Sequence, residues 1–188
     1  MLQTGMLENI MTHSLQVCRV ATWIGEQLNR QGAAINIDLV KAGALLHDIT
    51  KTRSIQTGEI HSATGAEYLV GLGYPEVSDI VRQHVKLDLY LDGGQLSEAE
   101  IVNYSDKRVL HDRIVSLNER MDYILERYGR ALELQDAYTW LQGKSVDLEI
   151  RIFDRLPIPP ESLESCLAGI DLAVSLKLIL ACGDNPAA

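Results

Sequence analysis

The sequence predicts an all-α bundle of about six to eight helices. Three observations carry that prediction. Apolar residues recur at three- and four-residue spacing through one segment after another. The residue mix, with 1 Phe and 5 Pro in 188 residues, favours helix over sheet. Helix start and stop signals fall where those periods begin and end. With 46% apolar residues, the chain has enough for a sizeable core in one domain, or in one domain with an appendage.

Residues 8–30 read as an amphipathic helix, with Ile10, Val17, Ala21, Ile24 and Leu28 at helical spacing and Gly32 as its stop. His13 lies on that apolar side. A second helix runs over 38–49, with Leu39, Ala42, Leu45 and Leu46 inward and His47 and Asp48 in its last turn. A third starts at His61 and stops at Gly71 or Gly73. A fourth opens on Pro75, a favoured first-turn residue, and carries Val77, Ile80, Val81 and His84. The segment "LDGGQ" (91–95) is a loop. The capping-box signature "SEAE" (97–100) opens a fifth helix that carries Asp106 and is expected to run past Arg120, with a break near 110–113. A further helix covers 132–143. "VDLEIRIF" alternates like a short strand but has no second strand to pair with. "RLPIPPESL" is a rigid turn, and 161–182 form a last helix. That helix is apolar on more than one side, so it packs on its own bundle or forms a homodimer or partner contact. The expected division is residues 1–128 as one domain and 129–188 as a C-terminal helical extension.

The net charge of -9 argues against a nucleic acid polymer as partner, because non-specific binding rests on neutralising phosphates with Lys and Arg. A nucleotide in a local pocket stays compatible with it. The cysteines Cys18, Cys166 and Cys182 are odd in number and show no metal-binding spacing, which reads as reduced, cytoplasmic thiols. No secretory signal is visible, and the most apolar run (168–182) contains Asp171 and Lys177 and is too short to span a bilayer; no membrane is expected. Gly93-Gly94 is a turn, since no strand precedes it and no Lys-Ser/Thr follows.

Four of the 5 histidines, His13, His47, His61 and His84, fall on four different helices, and Asp48 and Asp106 lie on helices as well. Bundles build ligand sites from side chains that several helices project inward. Nitrogen and carboxylate donors together suit a mid-row divalent metal such as Fe, Mn, Ni or Zn. Neighbouring helix positions point about 100° apart, so His47-Asp48 offers two ligands to one metal or places the aspartate between two. A lone histidine is more often a structural residue, but this joint placement favours a metal site. His111 points about 140° from Asp106 on a continuous helix and reads as surface or helix packing.

The order His13, His47-Asp48, Asp106 resembles the HD superfamily of metal-dependent phosphohydrolases. "LLHDITK" is similar to that family's His-Asp-Ile-Gly-Lys segment, with Thr50 in place of the Gly, and "HSLQVCRVATWIGEQL" is similar to its first ligand helix. The likeness covers residues 12–120. His61 and His84, lying between the His-Asp pair and Asp106, extend it to the dinuclear branch, which includes HD-type diadenosine tetraphosphate hydrolases and HD-GYP phosphodiesterases. The GYP motif is absent, which argues against a cyclic-di-GMP phosphodiesterase.

The resemblance implies one metal on His13, His47, Asp48 and Asp106, and a second on Asp48, His61 and His84, with Asp48 bridging. Asp48 and Lys51 are then the catalytic residues, with Lys51 facing the substrate phosphate. Two cations about 3.5–4 Å apart would activate a hydroxide for attack on phosphorus. Lys107 and Arg108 either assist in the same way or form a solvated face. The implied function is hydrolysis of a small phosphoester or phosphoanhydride, a nucleotide above all. The alternative is a catalytically weak nucleotide-sensing HD module. A helical di-iron protein is disfavoured, because no histidine has a Glu three residues before it.

Overall fold

The computed structural model describes residues 1–90, 94–128 and 132–169. After a 3-10 turn at Leu2–Thr4 come α1 (Glu8–Arg30), α2 (Ile37–Leu46), α3 (Lys51–Thr57), α4 (His61–Gly71), α5 (Pro75–Gln83) and α6 (Glu98–Asp106). A hairpin of β1 (Val109–Leu110) and β2 (Arg113–Ile114) follows, then α7 (Leu117–Tyr128) and α8 (Leu132–Phe153). A 3-10 turn at Pro160–Ser162 leads to the single-turn α9 (Leu163–Cys166). The all-α class is as the periodicity predicts, and among the described residues the two short strands are the whole of the sheet. Within the described residues, no helix is long and apolar enough to cross a membrane.

The core forms around α1, whose Val17, Val20, Ala21 and Ile24 are fully buried and which packs against α2 and α6. α5 joins α2 and α6 in that core, and α4 packs on α5. Gly43 makes the α2–α5 approach: a Cβ there would stand 2.6 Å from Ile80 Cγ2. The capping box forms as its sequence signature predicts, with Ser97 Oγ accepting from the Glu100 amide and Glu100 Oε2 accepting from the Ser97 amide at 2.8 Å. α8 closes the core with Leu148 and Ile152. Its Glu149 accepts the Tyr104 hydroxyl, and its Arg151 donates to Glu100 Oε1 at 2.6 Å.

The structure corrects four readings. α3 occupies a stretch for which no element is expected: "KTRSIQT" is polar and too short to show a period, yet Gly58 ends it in the left-handed region at φ 76°. The fifth helix does not run past Arg120. It stops at Asp106, and a hairpin pairs Val109 with Ile114 and Leu110 with Arg113, with His111 at φ 58° in the turn. "VDLEIRIF" lies within α8, because Leu148 and Ile152 are four apart and face the core as helical neighbours. The last helix is broken: α9 ends at Cys166 and Gly169 is at φ 97°. The rest of the expected 161–182 helix, its homodimer contact and most of "LDGGQ" lie outside the described residues.

Gly43→Ala should lower stability by about 1–3 kcal/mol, the usual cost of overpacking, in equilibrium denaturation. Pairing it with Ile80→Ala should cost less than the sum of the two single changes, because the clash loses its partner.

Candidate functional site

The site forms where helices end. His47 and His84 are the residues that close α2 and α5, and Asp106 is the last residue of α6. His61 opens α4 and Lys51 opens α3, with Asp48 in the turn between α2 and α3. His13 comes from the second turn of α1. Three helix C-termini, with the partial negative charge of their free carbonyls, thus converge here, a field that favours cations.

Three of the rings are held by backbone carbonyls. His13 Nδ1 donates to the His111 carbonyl (2.9 Å), His47 Nδ1 to that of Ala44 (2.8 Å) and His84 Nδ1 to that of Val81 (2.6 Å). With Nδ1 as donor, Nε2 carries the lone pair in the neutral ring. Those Nε2 atoms converge on two carboxylates. His13 Nε2 lies 3.0 Å from Asp106 Oδ1, and His47 Nε2 lies 3.8 Å from the same oxygen. His47 Nε2 lies 3.4 Å from Asp48 Oδ2, while His61 Nε2 and His84 Nε2 lie 3.2 and 3.6 Å from Asp48 Oδ1. The Nε2 atoms of His61 and His84 are 3.0 Å apart. The cluster contains two groups whose donor atoms could hold a metal ion, His13/His47/Asp48 and Asp48/His61/His84.

A divalent cation fits this donor set. His47 Nε2 and Asp48 Oδ1 are buried and make no hydrogen bond, a costly state for polar atoms. His13 Nε2 and Asp106 Oδ1 face one another at 3.0 Å, and with Nδ1 as the donor of a neutral ring two lone pairs stand opposed there unless a proton or a metal ion lies between them. Burial pushes the His61 ring below its ordinary value, against the hydrogen bond and charge of Asp48, so it disfavours the proton. Burial pushes both carboxyls up, but the charge of His47 and the His61 and His84 rings beside it hold Asp48 well below the usual range. The His13 ring, 3.0 Å away, and the charges of Arg120 and His47 do the same for Asp106. Ionised carboxylates and neutral imidazoles are the forms that ligate metal.

The structure brings together all seven residues singled out by the sequence: His13, His47, Asp48, Lys51, His61, His84 and Asp106. Lys51 Nζ donates to Asp48 Oδ2 at 2.9 Å while its side chain lines the cleft. Burial lowers the Lys51 ammonium, but the charges of Asp48 and Asp106 outweigh it and raise the net value. Other expectations need correction. Lys107 is no solvated face: it is buried, donates to Asn103 Oδ1 at 2.6 Å, and burial pushes it down to about 8. Arg108 is buried too and fastens the fold, donating from Nε to the Val115 carbonyl and from Nη2 to that of Pro160, with Glu149 at 3.1 Å from Nη1. His111 sits in a hairpin turn, where its carbonyl orients His13 and its ring packs edge-on against Tyr123.

Three supporting residues escaped the sequence. Thr50 Oγ1 donates to the His61 carbonyl at 2.9 Å and so ties the His-Asp turn to α4. Asn103 donates from Nδ2 to the carbonyls of Gln83 and His84 (2.9 and 3.0 Å), which fixes the end of α5. Arg120 lies 3.7 Å from Asp106 Oδ1. Position alone could have flagged Thr50, next to the His-Asp pair; Asn103 and Arg120 carry no such signal. The cluster opens into a cleft of about 800 Å³, whose other lining includes Ile55, Tyr123, Ile124, Tyr138 and Leu141.

Comparison with known proteins now adds a family. Residues 10–155 match the family model described as the HD domain. An uncharacterized protein of Methanocaldococcus jannaschii is 34% identical over 79 residues, 42% of this chain and 46% of that protein. Ribonuclease Y of Fusobacterium nucleatum is 21% identical over 151 residues, 79% of this chain and 29% of the enzyme. Ribonuclease Y of Thermosipho melanesiensis is 31% identical over 83 residues, 44% of this chain and 15% of the enzyme. The chain therefore spans less than half the length of each of these relatives. No solved structure matches.

Because Asn103 holds the turn that presents His84, Asn103→Ala should weaken divalent-metal binding by about 10- to 100-fold, as loss of a residue behind a ligand typically does. Calorimetric titration with Mn²⁺ or Zn²⁺ measures this. Unchanged affinity in a folded variant would take Asn103 out of the site.

Proposed function

The chain belongs to the HD-domain family, whose members are in general metal-dependent phosphohydrolases that bind divalent metals, and on that premise we propose that it hydrolyses a small phosphoester or phosphoanhydride, a nucleotide above all. The observation that carries the proposal is the Asp48 carboxylate lying between two sets of imidazoles, Oδ2 toward His47 and Oδ1 toward His61 and His84. That arrangement supports a two-metal site of the dinuclear branch, with Asp48 shared. His13, His47, Asp48 and Asp106 would hold one ion, and Asp48, His61 and His84 the other.

Divalent cations in such a site supply Lewis acidity toward a phosphoryl oxygen and a water made nucleophilic at neutral pH. The chain's own groups prepare that chemistry. The carbonyls of His111, Ala44 and Val81 fix three rings with Nε2 inward. Lys51 holds Asp48 Oδ2 from the cleft side, so its charge both orients the shared carboxylate and stands beside any anion that enters. The apolar and aromatic lining from α7 and α8 gives the non-reacting part of a substrate a surface to bury against and limits water around the reacting group. The volume of about 800 Å³ accommodates a nucleotide. The relatives named ribonuclease Y make a ribonucleotide phosphodiester worth testing. The charge of -9 favours a small substrate over a polymer.

The test is elemental analysis of the full chain, together with phosphate release and product chromatography over nucleoside mono-, di- and triphosphates, dinucleoside polyphosphates and a short RNA. Two metal ions per chain and chelator-sensitive turnover are expected. Asp48→Ala should lose both metals and at least about a hundredfold in rate. Unchanged metal content and activity in that variant would sink the assignment.

A further inference from the structure

Two arginines near the site are nearly buried, and the fold uses them differently. Arg108 is bound at every nitrogen, to the carbonyls of Val115 and Pro160 and to Tyr104 and Glu149. Arg120, on α7, is not. Its Nε is buried without a hydrogen bond. Its Nη2 stands 3.7 Å from Asp106 Oδ1, an ion pair too long for a hydrogen bond. The guanidinium carbon is 5.7 Å from the centroid of the Tyr123 ring. The side chain is only 13% exposed, and that exposure opens into the cleft shared with His13, Asp48 and Asp106.

A guanidinium withdrawn from water and left with an unfilled donor is costly. As a counter-ion for Asp106 it would also be self-defeating, because a fixed cation beside a cluster of metal ligands repels the metal. An anion in the cleft would balance that charge and take up the donors on the open side of the guanidinium. The planar fork of arginine matches two oxygens of a phosphoryl group, which lysine cannot match. The Tyr123 ring lies within cation–π range of the guanidinium and helps hold it in place.

We propose that Arg120 is a substrate-contact residue that grips a phosphoryl group of the substrate with its fork. The inference rests on the phosphohydrolase reading and extends it: the site takes its substrate by a charge fixed to the protein as well as by bound metal. Lys51 does not duplicate this role: its ammonium donates to Asp48 and adds a point charge, whereas only a guanidinium offers the planar fork.

The test uses the full chain loaded with Mn²⁺. Inorganic phosphate is titrated by calorimetry into the unaltered protein, Arg120→Lys and Arg120→Met, alongside elemental analysis, thermal melting, and KM and kcat on whichever member of the nucleotide panel is cleaved. Both variants should bind phosphate roughly 10- to 100-fold more weakly and lose kcat/KM to match, with metal content and melting preserved. Phosphate affinity and KM unchanged in both variants, beside a working unaltered enzyme, would overturn the role of Arg120 alone. Full recovery in Arg120→Lys would reduce the contact to a charge and overturn the fork. A change confined to metal affinity would make Arg120 a counter-ion. If the unaltered protein neither binds phosphate nor cleaves any of the panel, the phosphohydrolase reading fails, and the Arg120 contact with it.

Discussion

The carboxylate of Asp48 is 1% exposed, and a charge taken so far from water costs several kcal/mol unless opposite charge and hydrogen bonds surround it. Much of the site's architecture can be understood as meeting that demand. α2 stops after Leu46, so that His47 and Asp48 stand in a turn and both reach the same interior point. α4 begins at His61, which comes within 3.2 Å of Oδ1, and α5 ends so that His84 reaches the same oxygen. Lys51 approaches the other oxygen from the first turn of α3. Thr50 joins the two halves by donating to the His61 carbonyl. Its neighbours constrain it further: a Cβ on Gly65 would meet Ile49, Val81 and Thr50 within 3.4 Å, so α4 lies tight against the turn.

The second carboxylate is placed through a longer chain of contacts. Asp106 ends α6 because the backbone leaves the helix for the hairpin, and the hairpin returns the favour by offering the His111 carbonyl to His13. The positive φ of His111 is what the tight turn needs, and histidine tolerates it better than a branched residue. Arg108 fastens the start of the hairpin to Val115, Glu149 and Pro160, which lie on β2's far side, on α8 and beyond it. The geometry at His13 therefore depends on residues more than thirty positions downstream. The family match running to residue 155, two residues past the end of α8, agrees with that dependence.

This explains which parts of the molecule were legible in the sequence. The gathering of the histidines and aspartates was legible because ionisable residues on several apolar helices are hard to account for singly, and the order they share with the HD family puts them together. The two capping signals at Pro75 and Ser97 were legible because they act within one turn of their own sequence. α3 was not, since seven mostly polar residues show no period. Neither was the hairpin, whose two-residue strands are too short to alternate. Leu148 and Ile152 fit a strand or a helix equally until the partner surface is known. The places of Lys107 and Arg120 were not legible either, because burial of a long cationic side chain depends on acceptors and aromatic rings far away in sequence: Val85 for the one, Asp106 and Tyr123 for the other.

The charges at the site lead one step further. Asp48 and Asp106 contribute two negative charges, and Lys51 and Arg120 contribute two positive ones within reach of them. With neutral imidazoles the cluster is formally balanced before any ion binds. Each divalent cation added there leaves the pocket positive by two units, in a surrounding of low polarity where such an excess is expensive. A chain with a net charge of -9 elsewhere relieves little of it, because those carboxylates are mostly at the solvated surface and screened. An anion in the cleft relieves it directly. Metal binding and phosphate binding at this site should therefore reinforce each other, by an equal factor in each direction, and the two cationic side chains strengthen the coupling: without them each excess would be smaller by two units.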